Sequence, residues 1–218
     1  VFVDLGMEVP AGKRIQLTFA YEGNPAAGLK IGPNKYGDRG FYSDNWSSRV
    51  RNWLPTVDHP YDKAMTEMII TAPAKYQVAS NGNIAEVSDM GEGMRRTHYK
   101  NPVPTATWLY FMGVAQMAVQ QVDTYGDVPI ETWVYWQDRD AGFYDFAVPS
   151  KDVLAFYSDL VGPYVNKRLA NIVSTGTPGG GMEAASTPAY APSSVTGTRS
   201  RRWQHVIIHE IAHQRFGN

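Results

Sequence analysis

Apolar and polar residues alternate along much of the first two-thirds of the chain, a pattern that predicts β-strands rather than helices. One clear run has apolar side chains at every second position, Ile15, Leu17, Phe19 and Tyr21. Residues 76–80 lead into Asn81-Gly82, a dipeptide typical of hairpin turns. Residues 94–99 and 108–123 continue the pattern, and the second run is long enough that we expect a bend near Gly113. The pattern predicts an all-β unit built of hairpins.

The pattern changes after Tyr125-Gly126-Asp127. Residues 130–135 predict another strand, and Ser150-Lys151-Asp152 is typical of a helix start, with Pro163 expected to kink that helix. The apolar face of the helix is expected to carry Val153, Leu154, Tyr157, Leu160 and Val161. A tract rich in Gly, Pro, Ser and Thr follows over residues 174–197, and then a second helix from about residue 199 to 216. We therefore expect two domains, an all-β domain over residues 1–126 and an α/β unit over residues 127–218.

Charge and composition exclude several classes of partner. The 20 basic and 21 acidic residues nearly cancel, so no overall field attracts the protein to nucleic acid or to an anionic membrane. No apolar run reaches the roughly 20 residues of a membrane span, and the longest candidate is interrupted at Gly113 and Gln116. The chain begins at Val1 without a signal-like segment, so we expect a soluble fragment. Its compartment and oligomeric state are left open by the sequence.

The most specific chemical signal is His209-Glu210-x-x-His213. On a helix, residues four apart lie on one face, so the two imidazoles can reach one metal ion. Glu210 would then act as the general base that takes a proton from a water molecule attacking a carbonyl. Because the chain has no cysteine, any metal must be held by imidazole, carboxylate and water. The motif predicts one Zn²⁺ per site.

The alternative to a metal site is a chance arrangement of three polar residues on a helix. Their neighbours are apolar, which predicts a buried helix, and a buried helix carries such side chains at a cost unless they are coordinated. These neighbours are Val206, Ile207, Ile208 and Ile211. His205 lies one turn earlier on the same face. It is expected to be a surface residue or to contact the metal ligands without binding the metal itself.

Three motifs, in the same order along the chain, resemble the M1 (gluzincin) family of zinc aminopeptidases. The string from His209 to Asn218, HEIAHQRFGN, is similar to HEIAHQWFGN of that family. The string Gly180-Gly181-Met182-Glu183 resembles the family's G-x-M-E-N exopeptidase motif. The stretch from Trp53 to Ala64 is similar to the P-x-x-D-x-P…K-A segment of the N-terminal β domain. The resemblance covers nearly the whole chain.

The resemblance implies a β domain of saddle-like sheets, partial at its N-terminus, followed by the truncated start of an α/β thermolysin-like catalytic domain. It implies an enzyme that releases single residues from peptides with a free N-terminus. Glu183 would bind the α-ammonium of the substrate, and the backbone of Gly180 and Gly181 would run beside it. Met182 and Ala184 belong to the same substrate-binding segment. Asp44 and Asn45 lie near where the family places another polar residue against the amine.

The chain departs from the family pattern at two residues and at its C-terminus. Ala184 replaces the Asn of the exopeptidase motif, and Arg215 replaces a Trp. The chain ends five residues after His213, whereas the family's third ligand, a Glu, and its transition-state tyrosine come later. We therefore expect these residues to be inactive alone. Two alternatives stay open: a non-catalytic M1-like scaffold or binding protein, and a zinc endopeptidase, which Glu183 and its glycines argue against. The preferred N-terminal residue is not marked in the sequence.

Overall fold

The computed structural model describes residues 3–177 and 179–217, with only the backbone of Val148. Twelve strands and two α-helices form in this part of the chain. The strands are β1 (Leu29–Pro33), β2 (Arg39–Ser43), β3 (Ala64–Pro73), β4 (Gln77–Ser80), β5 (Asn83–Gly91), β6 (Met94–Thr105), β7 (Met112–Ala115), β8 (Met117–Tyr125), β9 (Val128–Tyr135), β10 (Leu169–Val173), β11 (Gly181–Met182) and β12 (Ala189–Tyr190). The helices are α1 (Arg139–Val161) and α2 (Arg201–His213). The prediction of a mostly β protein is confirmed.

Two antiparallel sheets contain the first seven strands. One has the order β1-β2-β7-β4 and the other the order β3-β6-β5. Tyr76, Val78 and Tyr99 form a small core with Val114, and Tyr99 donates a hydrogen bond to the carbonyl of Val78 at 2.8 Å. The two sheets are therefore joined both by apolar packing and by a buried hydrogen bond.

The third sheet is mixed and carries the helices. Its order is β11-β12-β10-β9-β8, with β10 parallel to both β9 and β12. Helix α1 connects the parallel strands β9 and β10, as a parallel pair requires a long crossover. Helix α2 packs against α1 and against the edge strand β11. None of the helices in the described residues is long and apolar enough to cross a membrane.

One apolar core joins the third sheet to the first. Tyr42 and Phe111 from the region of the first sheet pack with Trp133 and Ile172 of the third sheet and with Ile207 of α2. Ile172 and Ile207 are fully buried. Helix α2 is thus anchored by one apolar face, and its opposite face is left for polar residues.

The predicted strand over residues 15–21 is wrong. These residues form no strand and pair with no strand of the described chain, and all four apolar side chains are exposed. Alternation indicates a strand only where a neighbouring strand and a core cover one face. The Tyr21 hydroxyl at the end of the segment donates a hydrogen bond to the carbonyl of Trp53.

Two other connections differ from the sequence prediction. Asn81-Gly82 does not close a hairpin, because β4 and β5 belong to different sheets. The buried Asn81 amide instead donates to the carbonyls of Leu109 and Ala185. The run over residues 108–123 is not one strand bent at Gly113 but two strands of different sheets, β7 and β8, that separate at Gln116.

The predicted start of the first helix is also wrong. Helix α1 begins at Arg139 and includes Pro149, so Ser150 lies inside it and its hydroxyl donates to the Phe146 carbonyl. The helix ends at Val161 before Gly162, whose φ of 99° breaks it, so Pro163 follows the helix and does not kink it. Leu154 is fully buried, but the predicted apolar residues Leu160 and Val161 are exposed.

The expected domain boundary at Gly126 stays a prediction. Gly126 lies in the turn between β8 and β9, which pair along their length in the third sheet. Membership of sheets alone would divide the chain earlier, at Gln116 between β7 and β8.

Candidate metal centre

The two histidines of the motif lie together on α2. Their Nε2 atoms are 3.2 Å apart, and the ring planes are nearly perpendicular, at 85°. Two nitrogens bound to one tetrahedral Zn²⁺ at the usual bond length would be about 3.3 Å apart. His209 is exposed and His213 is half-buried, so the space beside the two nitrogens is open to solvent. The separation of the two nitrogens is therefore close to that expected for two ligands of one metal ion.

A backbone carbonyl after α2 determines which nitrogen of the His213 ring carries the hydrogen. Nδ1 of His213 lies 3.1 Å from the carbonyl oxygen of Phe216, which can only accept, so Nδ1 carries the proton. Nε2 then keeps its lone pair for a metal, the arrangement typical of metal-binding histidines. Gly217 lets the chain turn over the ring: its φ is 95°, and a Cβ there would lie 3.1 Å from Nδ1. The contact between His213 and the Phe216 carbonyl could not be predicted from the sequence.

The side chain of Glu210 points into the protein, away from solvent. It is 5% exposed, and its carboxyl group lies directly against Gly181 of β11. A Cβ at position 181 would come within 2.2 Å of Oε1 of Glu210, so any larger residue would displace the carboxyl group. Gly181 thus allows the edge strand to approach the predicted base closely.

Burial and, to a smaller extent, the nearby negative charge of Glu183 together raise the pKa of Glu210 to about 8. Without a metal ion, Glu210 is therefore mostly protonated at neutral pH. A divalent cation beside it would favour the ionised form that a general base needs.

This shifted pKa predicts how stability depends on pH in the metal-free chain. Below its ordinary pKa of 4.5, Glu210 is protonated in both the folded and the unfolded state. Between that pH and about 8, only the folded state keeps the proton, so folding loses stability as the pH rises. Glu210→Gln removes this loss. From pH 4.5 to 8.5 we expect the unfolding free energy of the wild type to fall by a few kcal/mol relative to that of Glu210→Gln.

Urea unfolding at several pH values in the presence of a chelator measures this difference. Glu86→Gln, at an exposed carboxylate whose pKa is lowered by the hydroxyl of Ser88, is the control and should follow the wild type across this range. A constant difference between the wild type and Glu210→Gln at all pH values would contradict the assignment.

Glu183 follows β11 and faces a cavity of about 250 Å³ between the third sheet and the loop after β2. Gly181 and Met182 line the same cavity from the β11 side, and Asp44 and Arg49 line it from the other. Asp44 pairs with Arg49 and, at 3.5 Å, with Lys30. The structure thus brings Glu183, Asp44 and the predicted base Glu210 to one region from three separate segments of the chain.

The segment that follows Glu183 is held by buried contacts. The Ala184 side chain is 1% exposed and packs in the main core, so it does not face the cavity. The amide of Ala185 donates to the Leu109 carbonyl, and Asn81 donates to the Ala185 carbonyl. Gln214, which sequence reasoning passed over, holds the same segment from α2. Buried hydrogen bonds from Asn81 and Gln214 therefore hold this segment without an Asn at position 184.

The other residues singled out in the sequence contact the rest of the fold or lie at the surface. Gly180 accepts a hydrogen bond from the amide of Ala191, and its own Cα faces open space. His205 is exposed, as expected for a surface residue. Arg215 is half-buried and donates to the carbonyl of Pro163 beyond the end of α1. Asn45 is 2% exposed and bonds Tyr110 and Trp53, so its amide is used within the fold.

The expectation that α2 is buried is only partly correct. Ile207 and Ile211 are fully buried, but Ile208 is 37% exposed. Within the described residues, no three or more His, Cys, Asp or Glu side chains lie together in a way that could hold a metal ion. His209 and His213 therefore lie together without a third side chain of these types within the described residues. The motif's last residue, Asn218, lies outside the described residues.

The sequence of this chain is similar to that of known proteins. The sequence model of the peptidase M1 N-terminal domain matches residues 1–109. The chain belongs to the peptidase M1 family. Within this M1 segment, Asp58 has a 2% exposed side chain that accepts hydrogen bonds from Arg51 and Thr107.

The M1 relatives found by sequence are aminopeptidases. The chain is 25% identical over 185 residues to glutamyl aminopeptidase of Homo sapiens, covering 81% of this chain and 19% of that protein. It is 23% identical over 184 residues to aminopeptidase A of Gloydius brevicauda, with the same coverage of 81% and 19%. It is 26% identical over 179 residues to probable aminopeptidase 2 of Sulfurisphaera tokodaii, covering 79% and 22%. The chain spans about a fifth of the length of these relatives.

Proposed function

We propose that this chain supplies an N-terminal β domain, residues 1–126, and the start of a thermolysin-like catalytic domain, residues 127–218, of a zinc aminopeptidase. The observation that carries the proposal is the 3.2 Å separation of the Nε2 atoms of His209 and His213, with the buried Glu210 between them in the sequence. Membership of the M1 family supports the same reading.

In this proposal His209 and His213 hold one Zn²⁺, and a third ligand comes from outside these residues. Zinc supplies a Lewis acid that polarises the substrate carbonyl and makes a water molecule acidic. Glu210 accepts the proton of the attacking water on its carboxylate and is kept in place by the close packing of Gly181. Because Glu210 is nearly buried, this proton transfer takes place with little competition from bulk water.

Glu183 is proposed to determine which peptide bond of the substrate is cleaved. It lines the cavity beside β11, where a carboxylate can pair with the substrate's free ammonium group. The edge strand β11 leaves one side free for an extended peptide, with Gly180 and Gly181 permitting close approach and Met182 beside the first side chain. Fixing the amine at this point limits release to one residue at a time.

The test uses the complete protein and aminoacyl-anilides, with free or acetylated amines. We expect hydrolysis of free-amine substrates that stops with a chelator and returns with zinc. Glu183→Ala should lower kcat/KM for these substrates about 100-fold, because a charge-assisted pair is lost. Glu92→Ala, at an exposed turn, is the control and should have no effect. Equal cleavage of acetylated substrates would contradict the exopeptidase role, and a protein without bound zinc would favour a non-catalytic scaffold.

A further inference from the structure

Gln214 is the residue that joins α2 to the segment carrying Glu183. It follows His213 directly and lies one turn after Glu210, and it is 6% exposed. Its Oε1 accepts a hydrogen bond from the amide of Ser186 at 2.8 Å. Its Nε2 donates to the carbonyl of Glu183 at 3.2 Å, with the Ala184 carbonyl next at 3.4 Å. Both ends of the amide are therefore directed at the same four-residue segment.

The remaining contact of this side chain is with its own helix. Nε2 also lies 3.3 Å from the carbonyl of Glu210 in the last turn of α2, and the backbone amide of Gln214 donates to the Ile211 carbonyl. One amide thus satisfies backbone groups on both sides of the junction between α2 and the segment after β11. Because the amide is buried, each of these bonds is costly to lose.

This junction separates the predicted metal ligands from the predicted amine anchor. Glu183 follows a strand of only two residues, β11, so its position depends on how its backbone is held after the strand ends. From the β side, Asn81 holds the carbonyl of Ala185 at 2.6 Å. From the helix side, Gln214 holds the carbonyl of Glu183 itself. The distance from Glu183 to the histidine pair therefore depends on Gln214 more directly than on any core contact described above.

We propose that Gln214 is a positioning residue that sets the distance between the amine anchor Glu183 and the metal pair His209 and His213. This inference rests on the proposed aminopeptidase function. Gln214 does not touch the substrate. It acts through the backbone of Glu183, and a displacement of the anchor weakens the binding of the free amine while the metal and Glu210 keep their places.

Two substitutions separate positioning from packing. Gln214→Met keeps the volume and loses all the hydrogen bonds, and Gln214→Glu keeps an acceptor for the Ser186 amide but sets an oxygen against the Glu183 and Ala184 carbonyls. In the complete protein, both variants are expected to raise KM for free-amine aminoacyl-anilides about tenfold, as the loss of one buried hydrogen bond would do. The kcat should stay within about threefold and the zinc content should be unchanged, since uniform binding is what is lost.

The matched control is Gln204→Met, which makes the same substitution on the same helix. The Gln204 amide donates to the Asp145 carbonyl at 2.9 Å and does not reach the Glu183 segment. Its KM should equal that of the wild type. A wild-type KM in the two Gln214 variants would overturn the inference, and so would a loss of zinc together with kcat, because that result would show a general effect on the helix.

The hydrogen bond itself is tested in the 218-residue chain without any activity. Exchange of the Ser186 amide hydrogen should be about tenfold faster in Gln214→Met than in the wild type, and unchanged in Gln204→Met. Equal exchange rates in all three proteins would overturn the inference whatever the kinetics show. A wild-type protein without chelator-sensitive hydrolysis would overturn both the proposed function and this inference, whereas normal hydrolysis with an unchanged KM in the variants would overturn only the latter.

Discussion

The His213→Ala variant is expected to lose the stabilisation that zinc gives to the wild-type chain. A ligand that binds only the folded state raises the unfolding free energy, by about 2.7 kcal/mol at a concentration 100 times its dissociation constant. In the wild type the Nε2 atoms of the two imidazoles are 3.2 Å apart, so both can bind the proposed ion. With one imidazole left, no chelate forms and the zinc-dependent increase should disappear. Urea unfolding with and without zinc at that concentration, after a binding titration of the wild type, measures the effect.

His205→Ala is the matched control for this experiment. His205 is on the same helix and is exposed. Its response to zinc should equal that of the wild type. A zinc effect that survives in His213→Ala but is lost in His205→Ala would place the metal elsewhere and contradict the candidate centre.

Arg168→Met is expected to lower the unfolding free energy by about 3 to 5 kcal/mol, the usual cost of removing one partner from a buried ion pair. Arg168 is 4% exposed and joins separate parts of the fold. It pairs with Glu131 of β9 at 3.2 Å, donates to the carbonyl of Ser80 at 2.6 Å and to Thr187 at 3.2 Å, and lies over the Tyr99 ring. Methionine fills the space but leaves these acceptors, including a carboxylate, without the cation.

The control is Arg96→Met, at an exposed pair with Glu86 whose charged atoms are 3.4 Å apart. Surface pairs contribute about 0 to 1 kcal/mol, so this variant should be close to the wild type in denaturant unfolding. The double variant Arg168→Met with Glu131→Gln should recover part of the loss, because the unpaired charge is then gone. If Arg168→Met alone is as stable as Arg96→Met, Arg168 does not hold the sheets together in the way described.

Much of the candidate site could be predicted from local sequence. The spacing of His209 and His213 determines that they share a helix face, because the helical repeat is fixed by backbone geometry. The structure places their nitrogens as this spacing requires. The strands at 94–99 and 130–135 also lie within β6 and β9, since alternation there is supported by strands on both sides.

The contacts around the site could not be predicted in this way. The approach of Gly181 to Glu210, the cavity shared by Glu183 and Asp44, and the hold of Gln214 on the Ser186 amide all join residues that are distant in the sequence. Each depends on how β11 and α2 pack on the core, for which one sequence has no local signal. The raised pKa of Glu210 is a result of the same packing, because burial is its main cause.

The sequence by itself determined that strand β9 and two helices occur in the second half and that His209 and His213 share one helix face, but it did not predict β10, β11 or β12. Tertiary structure alone decided which apparent strands were real. Residues 15–21 alternate as well as any strand but remain exposed, and residues 108–123 divide between two sheets at Gln116. The physical reason is that a strand is stabilised by its neighbours and by the core it covers, whereas the face of a helix is set within the helix itself.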